Sequence, residues 1–354
     1  MAGDQKTRSG ERLAQIARRH FFWLLLSCYA LAALWPEPGV AMRRWEWTAI
    51  DFGNVPFSLP LLLLAVMLFS AALVTDLSQI RVVSRHPLVL AIALVLVWLG
   101  PALLVLAAGW LVPLAVDGQA TAGLLVGLAL VATMPVANSS VGWTQNASGN
   151  VGLGLALVVL SILLSPWVTP SLLSLLGMSL SEREQAYCEM LVSEFSGVFF
   201  IIWVILPTAA GLACRYLITP QRAEAVENWF VLASGAALLL LNYINSALAL
   251  PKIHESPAPL LLATMALAIA LSAVGVVLGW ALASLLRLKQ PTSSALMFGL
   301  SMKHTGLALI LAGAVLANQP LAILMIVLAT LVQHVLAGIA QWWLQHGTCA
   351  TDAA

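Results

Sequence analysis

The sequence predicts an all-α polytopic membrane protein, and two observations support this. Of the 354 residues 61% are hydrophobic and only 9% are charged, whereas charged residues make up about a quarter of a soluble domain. The apolar residues also gather into stretches of about 20, the length that a helix needs to cross a bilayer. We therefore expect the lipid bilayer as a partner, and the absence of a basic stripe with interleaved aromatic residues argues against nucleic-acid binding.

Ten stretches are predicted as transmembrane spans, at 21–36, 57–75, 88–113, 121–146, 150–176, 194–217, 227–249, 258–286, 293–316 and 320–344. Each half of the chain carries an odd number of spans, so the second half must enter the membrane in the opposite orientation, as in inverted repeats. The predicted divisions are a segment 1–20, repeat 1 at 21–176, a connection at 177–193, repeat 2 at 194–344 and a tail 345–354. The charged connection fits either a solvated loop or a short surface helix.

Lysine and arginine residues in the connections predict the orientation, because they are enriched on the cytoplasmic side. With a cytoplasmic N-terminus, that side collects Lys6, Arg8, Arg12, Arg18, Arg19, Arg81, Arg85, Arg215, Arg222, Arg287 and Lys289. The other side collects Arg43, Arg44, Arg183 and Lys252. We therefore expect a multi-pass protein of the plasma (inner) membrane with both termini in the cytoplasm.

The fourth span carries a polar run, 138–150, directly after Pro135. Proline lacks the backbone donor of a helix interior and clashes with the preceding turn, so the helix is expected to open at 134–138. Polar groups survive at this depth only where they line a cavity or are buried in protein. Alternatively, the hydroxyl groups bond back to their own helix or join neighbouring helices. The candidate binding residues are Asn138, Ser139, Ser140, Thr144 and Asn146.

The ninth span is interrupted by a shorter polar run that contains Lys303, His304 and Thr305, and these are further candidate binding residues. A charge at the centre of a bilayer costs at least about 2.5–3.5 kcal/mol, so an ionisable residue there indicates a functional site. His304 alone also fits a satisfied interior histidine. Gln333 and His334, in the tenth span, are weaker candidates for the border of the same cavity.

Broken spans at corresponding positions of two halves are typical of secondary transporters that bind their substrate near the membrane midplane. The predicted spans contain no Ser/His pair, paired aspartates or HExxH motif, so an enzyme is not expected. A channel fits less well than a gated carrier. A membrane sensor that binds ligand without moving it is the other alternative.

The chain resembles the bile acid/sodium symporter superfamily. The motif of this superfamily around the fourth and fifth spans is met by Pro135, Thr144, Ala147, Gly149, Asn150, Val151 and Leu153, and its ninth-span motif is similar to the run 301–308. The resemblance implies that broken helices 4 and 9 cross, that spans 1, 2, 6 and 7 form a panel, and that spans 3–5 and 8–10 form a core. It also implies alternating-access transport of a bile-acid-like or carboxylate organic anion, bound between panel and core.

The cation ligands of sodium-coupled members are mostly replaced. Where those members place an acid and a Gln in the ninth span, this chain has Gly299 and Lys303; Ser140 is kept, followed by Val141. Gly154 and Val158 stand where the fifth span would supply hydroxyl groups. We therefore expect no metal site, no cofactor and no Na⁺ coupling, with the Lys303 ammonium in the cation position, bonded to exposed carbonyl groups. Lys303 either carries a proton through the cycle or stays charged, and the oligomeric state, monomer or homodimer, is open.

Overall fold

The protein was analysed as a computed structural model that describes residues 20, 23–52, 55–74, 87–115, 120–195, 201–251 and 257–347. The predicted N-terminal segment 1–20 lies outside these residues except for His20, and so does the tail from 348 onward. The described chain is helical apart from one antiparallel hairpin, β1 (Glu46–Phe52) and β2 (Val55–Ser58). The sequence analysis did not foresee this hairpin, which precedes the second predicted span.

The helices up to residue 195 are α1 (Trp23–Leu34), α2 (Glu37–Arg43), α3 (Leu59–Val74), α4 (Pro87–Ala115), α5 (Ala120–Thr133), α6 (Ser139–Asn146), α7 (Val151–Met178) and α8 (Glu182–Phe195). After a π-helical turn, Ile201–Ile205, follow α9 (Leu206–Leu217), α10 (Pro220–Ala249), α11 (Ala258–Leu285), α12 (Gln290–Ser301), α13 (Thr305–Val315) and α14 (Pro320–Gly347). The charged connection between the predicted repeats is thus a helix, α8, for most of its length.

Five of these helices are long and apolar enough to cross a membrane, or six if the bent pair α1 and α2 is one span. The chain is therefore an integral, all-α membrane protein, while the full set of ten spans in two inverted repeats stays a prediction. Several of the other predicted spans appear as shorter apolar helices, among them α3, α5 and α13. For α5 and α13 the reason is that each ends or begins at a break in the fourth or ninth span.

The chain divides into two compact units. One unit is drawn from residues 1–76 and 194–252, and within it α3 packs against α9 and α10. Polar side chains also join its helices: Arg43 donates to the amide oxygen of Asn245 at 2.9 Å, and Tyr29 donates to that of Asn242 at 3.0 Å. These bonds satisfy amide groups that are fully buried in α10.

The other unit is drawn from residues 77–193 and 253–354 and contains both broken helices. Its helix α11 lies against α12 at the distance that glycine allows, because a Cβ atom on Gly275 would lie 2.4 Å from the Leu300 carbonyl oxygen. Similarly, a Cβ atom on Gly127 in α5 would lie 2.7 Å from the Ala322 carbonyl oxygen in α14. Small residues let the backbones approach, which drives helix association in lipid. The movement of these units as panel and core stays a prediction.

The Gly275 contact predicts a destabilising substitution. We expect Gly275→Ala to lower the stability of the purified protein by about 1–3 kcal/mol, because the added methyl group meets backbone that cannot move aside. Gly235→Ala in α10 is the matched control, since its Cβ would meet nothing within 4 Å. Thermal unfolding in detergent measures both, and equal melting temperatures for the two variants would contradict the prediction.

Candidate functional site

The first break has the position and the cause that the sequence predicts. Helix α5 ends at Thr133, because Pro135 cannot donate to the Val131 carbonyl; that carbonyl instead accepts from Met134 N at 3.1 Å in a tighter turn. The chain then runs extended through Val136 and starts α6 at Ser139. Two short helices therefore meet at a non-helical segment within the unit.

The second break separates α12, which ends at Ser301, from α13, which begins at Thr305. Met302 is extended, and His304 caps α13 because its Nδ1 accepts from Leu307 N at 3.2 Å. This cap satisfies one of the amide groups that the first turn of a helix leaves without a partner. His304 thus has the structural role that the sequence analysis kept open.

The two breaks cross and are joined as a short antiparallel bridge between Val136 and Lys303. Ala137 N donates to Met302 O at 3.0 Å, and His304 N donates to Pro135 O at 2.9 Å. The two bonds are related by a local two-fold axis, because each joins the residue after one bridge position to the residue before the other. The non-helical backbone of each break thereby supplies hydrogen-bond partners to the other, which is necessary because no water is available in the bilayer core.

The outward-facing amides of the bridge are also satisfied in a symmetric way. Val136 N donates to the hydroxyl oxygen of Ser161 in α7, and Lys303 N donates to the amide oxygen of Gln333 in α14, both at 3.0 Å. In each case the acceptor comes from the second helix after the break, which is α7 for the first break and α14 for the second. One polar side chain from α7 and one from α14 therefore hold the crossing by hydrogen bonds to its two sides.

The Lys303 ammonium lies inside this crossing and is only 2% exposed. It donates to the carbonyl oxygen of Val97 in α4 and to that of Met134 at 3.2 Å. The Val97 carbonyl is available because its helical partner would be the amide of residue 101, which is Pro101. Within the described chain Lys303 has no carboxylate partner, and the sequence contains no Asp or Glu between Glu255 and Asp352.

The end of α5 is held by a second pair of donors. The carbonyl oxygen of Thr133 accepts from Trp98 Nε1 at 3.0 Å and from Thr169 Oγ1 at 2.8 Å. The last carbonyl groups of a helix have no partner within it, so these side chains from α4 and α7 satisfy a buried helix end. Together with Lys303 they fix α4, α5 and α7 around the crossing.

The other predicted residues differ in their exposure. Asn138 and Ser139 are half-buried at the start of α6, whereas Asn146 is exposed at its end. Ser140 and Thr144 are fully buried; Thr144 donates back to the Ser140 carbonyl at 2.8 Å, while the Ser140 hydroxyl has no hydrogen-bond partner among the described residues. Thr305 is buried as the first residue of α13.

Sequence reasoning missed several residues of the crossing: Val97, Trp98, Pro101, Ser161 and Thr169. Pro101 gives a usable signal, because a proline inside a predicted span frees the carbonyl four residues earlier. A polar residue such as Ser161 inside an apolar span is a second signal. A backbone carbonyl as partner for Lys303 has no signature in side-chain identities, so the contact with Val97 needs the fold.

Crossed broken helices are typical of membrane transporters, since such breaks form binding sites within the bilayer. The sodium bile acid symporter family model matches residues 61–256, and the chain therefore belongs to that family. It is 24% identical to the uncharacterized protein YbaS of Bacillus subtilis over 80% of this chain and 87% of that protein. It is 27% identical to the uncharacterized sodium-dependent transporter YocS of Bacillus subtilis over 54% of this chain and 56% of that protein.

The hydrogen bond from Val136 N to the Ser161 hydroxyl oxygen predicts the effect of Ser161→Ala. This substitution leaves the buried Val136 amide without an acceptor, so we expect a loss of about 1–3 kcal/mol of stability. Ser171→Ala on the same helix is the control, because the Ser171 hydroxyl is exposed and bonds only to the Trp167 carbonyl of its own turn. Thermal unfolding compares the two variants. A Ser161→Ala variant as stable as Ser171→Ala would show that the hydrogen bond to Val136 contributes little to stability.

Proposed function

We propose that this protein is a secondary transporter of a small organic anion that works by alternating access without Na⁺. The observation that carries the proposal is the Lys303 ammonium bonded to two backbone carbonyl groups at the crossing of the broken helices. A Na⁺ ion would need several oxygen ligands at such a place, and a Lys ammonium close by would repel it. Lys303 supplies the positive charge and the bonds that an ion would otherwise supply.

The surroundings of the other replaced positions support the same proposal. A Cβ atom on Gly299, where the resemblance implies an acid in sodium-coupled members, would lie 2.7 Å from Leu157 Cδ1. A carboxylate there would need Leu157 to move. Val158 is buried in an apolar cluster with Leu157 and Ala156, so this part of the fifth predicted span supplies packing rather than oxygen ligands. Close-packed apolar residues thus stand where oxygen ligands for a hard cation would be needed.

An anion is the substrate that this charge distribution favours. The N-terminus of α6 directs backbone amides toward the break, and its N-cap residue Asn138 makes no side-chain bond to the helix. Asn138 and Ser139 are accessible enough to touch a ligand, whereas Lys303 is buried and acts through its field. A carboxylate or a sulfonate would balance the positive charge of Lys303, which lies in the acid-free stretch between Glu255 and Asp352.

The first test is ligand-induced thermal stabilisation with a panel of carboxylates, bile acids and sulfonates, run in sodium and in potassium salts at several pH values. We expect one class of anion to raise the melting temperature equally in both salts, because a ligand that binds only the folded state stabilises it. Stabilisation that required sodium would contradict the proposal. It would favour the second candidate, a Na⁺-coupled symporter with altered ligands, which the printed name of YocS supports.

Lys303→Gln tests the role of the charge directly. In proteoliposomes loaded with the anion found above, we expect this variant to transport at less than a tenth of the wild-type rate or to lose the pH dependence of transport, because no charge remains to balance the substrate. Lys289→Gln is the control with the same change of charge, since Lys289 is exposed before α12. A wild-type rate and pH profile in Lys303→Gln would refute the proposal. Binding without flux in the wild type would instead favour a sensor.

A further inference from the structure

A cavity of about 290 Å³ lies in the unit of the crossing but at the far end of α12, away from the break. It is bounded by the end of α11, the start of α12 and the end of α14, and its polar and aromatic lining consists of Trp280, Ser284, Arg287, Gln290, Ser293 and Trp343. The apolar stretch of α11 ends at Leu285, so the cavity lies at the level where a spanning helix leaves the hydrocarbon. The sequence predicts this end to be cytoplasmic.

Arg287 occupies a position that usually belongs to glycine. It lies two residues after the end of α11 and has a φ of 51°, and the bond from Leu288 N to Ala283 O at 2.8 Å closes a turn that normally has glycine at this place. A non-glycine residue in this conformation is strained, and such strain is often kept for function. The strain alone defines no site. It does show that an arginine stands at the mouth of the cavity although the backbone conformation there favours glycine.

Three donor groups at the cavity, one guanidinium and two indole N–H groups, are left open for a ligand. Arg287 is exposed, and its guanidinium has no hydrogen bond or ion pair within the described chain. Trp280 and Trp343 are each 47% exposed on opposite helices, and their indole N–H groups bond to no described residue. Repeat 2 has no acidic residue beyond Glu255, so a negative partner for Arg287 from this part of the chain is missing.

We propose that this cavity binds the head group of an acidic phospholipid. The shared chemistry is a phosphate with a net negative charge, which the planar guanidinium of Arg287 binds with two parallel hydrogen bonds. A lipid rather than free phosphate fits the flanking tryptophans, which prefer the level of the head groups, and the apolar wall formed by Ala283, Leu288 and Leu344, which suits acyl chains. Basic pockets between helices on the cytoplasmic side are typical sites for such lipids.

The test compares phosphatidylglycerol with phosphatidylcholine in the thermal unfolding of detergent-purified protein. We expect phosphatidylglycerol to raise the melting temperature by several degrees more than phosphatidylcholine does, and millimolar inorganic phosphate to leave it unchanged. Arg287→Gly is the informative variant, because glycine relieves the strained turn while removing the charge. It is expected to unfold no earlier than the wild type without lipid, yet to lose the response to phosphatidylglycerol. Arg287→Lys should keep part of the response.

Arg183→Gln, a change at an exposed arginine of α8, is the control that keeps the whole response. A second readout that needs no change at Arg287 is fluorescence quenching by brominated phosphatidylglycerol, which should decrease in Trp343→Phe. The proposal fails if Arg287→Gly keeps the response or if the two lipids act alike. It also fails if inorganic phosphate reproduces the shift, since the site would then bind free phosphate. None of these outcomes depends on transport or on Lys303.

Discussion

The backbone bridge between Val136 and Lys303 is the constraint on which the rest of the unit depends. Two helices that stop in the middle of an apolar unit leave amide and carbonyl groups that cost several kcal/mol each if they stay without partners. The bridge satisfies part of them, and Ser161 and Gln333 satisfy the two amides that face away from it. The neighbouring helices therefore have to lie where they do, because each delivers a polar group to the crossing.

Proline positions explain where the remaining carbonyl groups point. Pro135 ends α5 and leaves the carbonyls of Thr133 and Met134 to side chains, and Pro101 releases the carbonyl of Val97 inside α4. Two helices, α4 and α5, thus present backbone acceptors to one small volume. Lys303 is the donor that two of these acceptors share, so its long side chain replaces contacts that the helices cannot make themselves.

Hydropathy predicted the helical membrane class, proline chemistry predicted the break at Pro135, and the polar run around Lys303 predicted the second break. The hairpin Glu46–Phe52 with Val55–Ser58 was not predicted, and α8 was only one of two alternatives for its segment, because short segments outside the spans carry weak periodic signals. The six polar residues within positions 138–146 also looked alike in the sequence. Only the fold separates Thr144, which bonds to its own helix, from Asn138 and Ser139, which stay accessible.

The backbone bonds of the crossing are symmetric, so the difference between its two bridge side chains is informative. The local two-fold axis exchanges Val136 and Lys303, so the first break contributes an apolar side chain where the second contributes an ammonium. A single positive charge in a buried site without a carboxylate partner is costly unless something compensates it. On the proposed function, two events lower this cost: binding of an anion, or loss of the proton. Either event changes the charge balance around Lys303. Because the Lys303 ammonium also bonds the carbonyl groups of Val97 and Met134, such a change would act directly on the packing of the crossed helices.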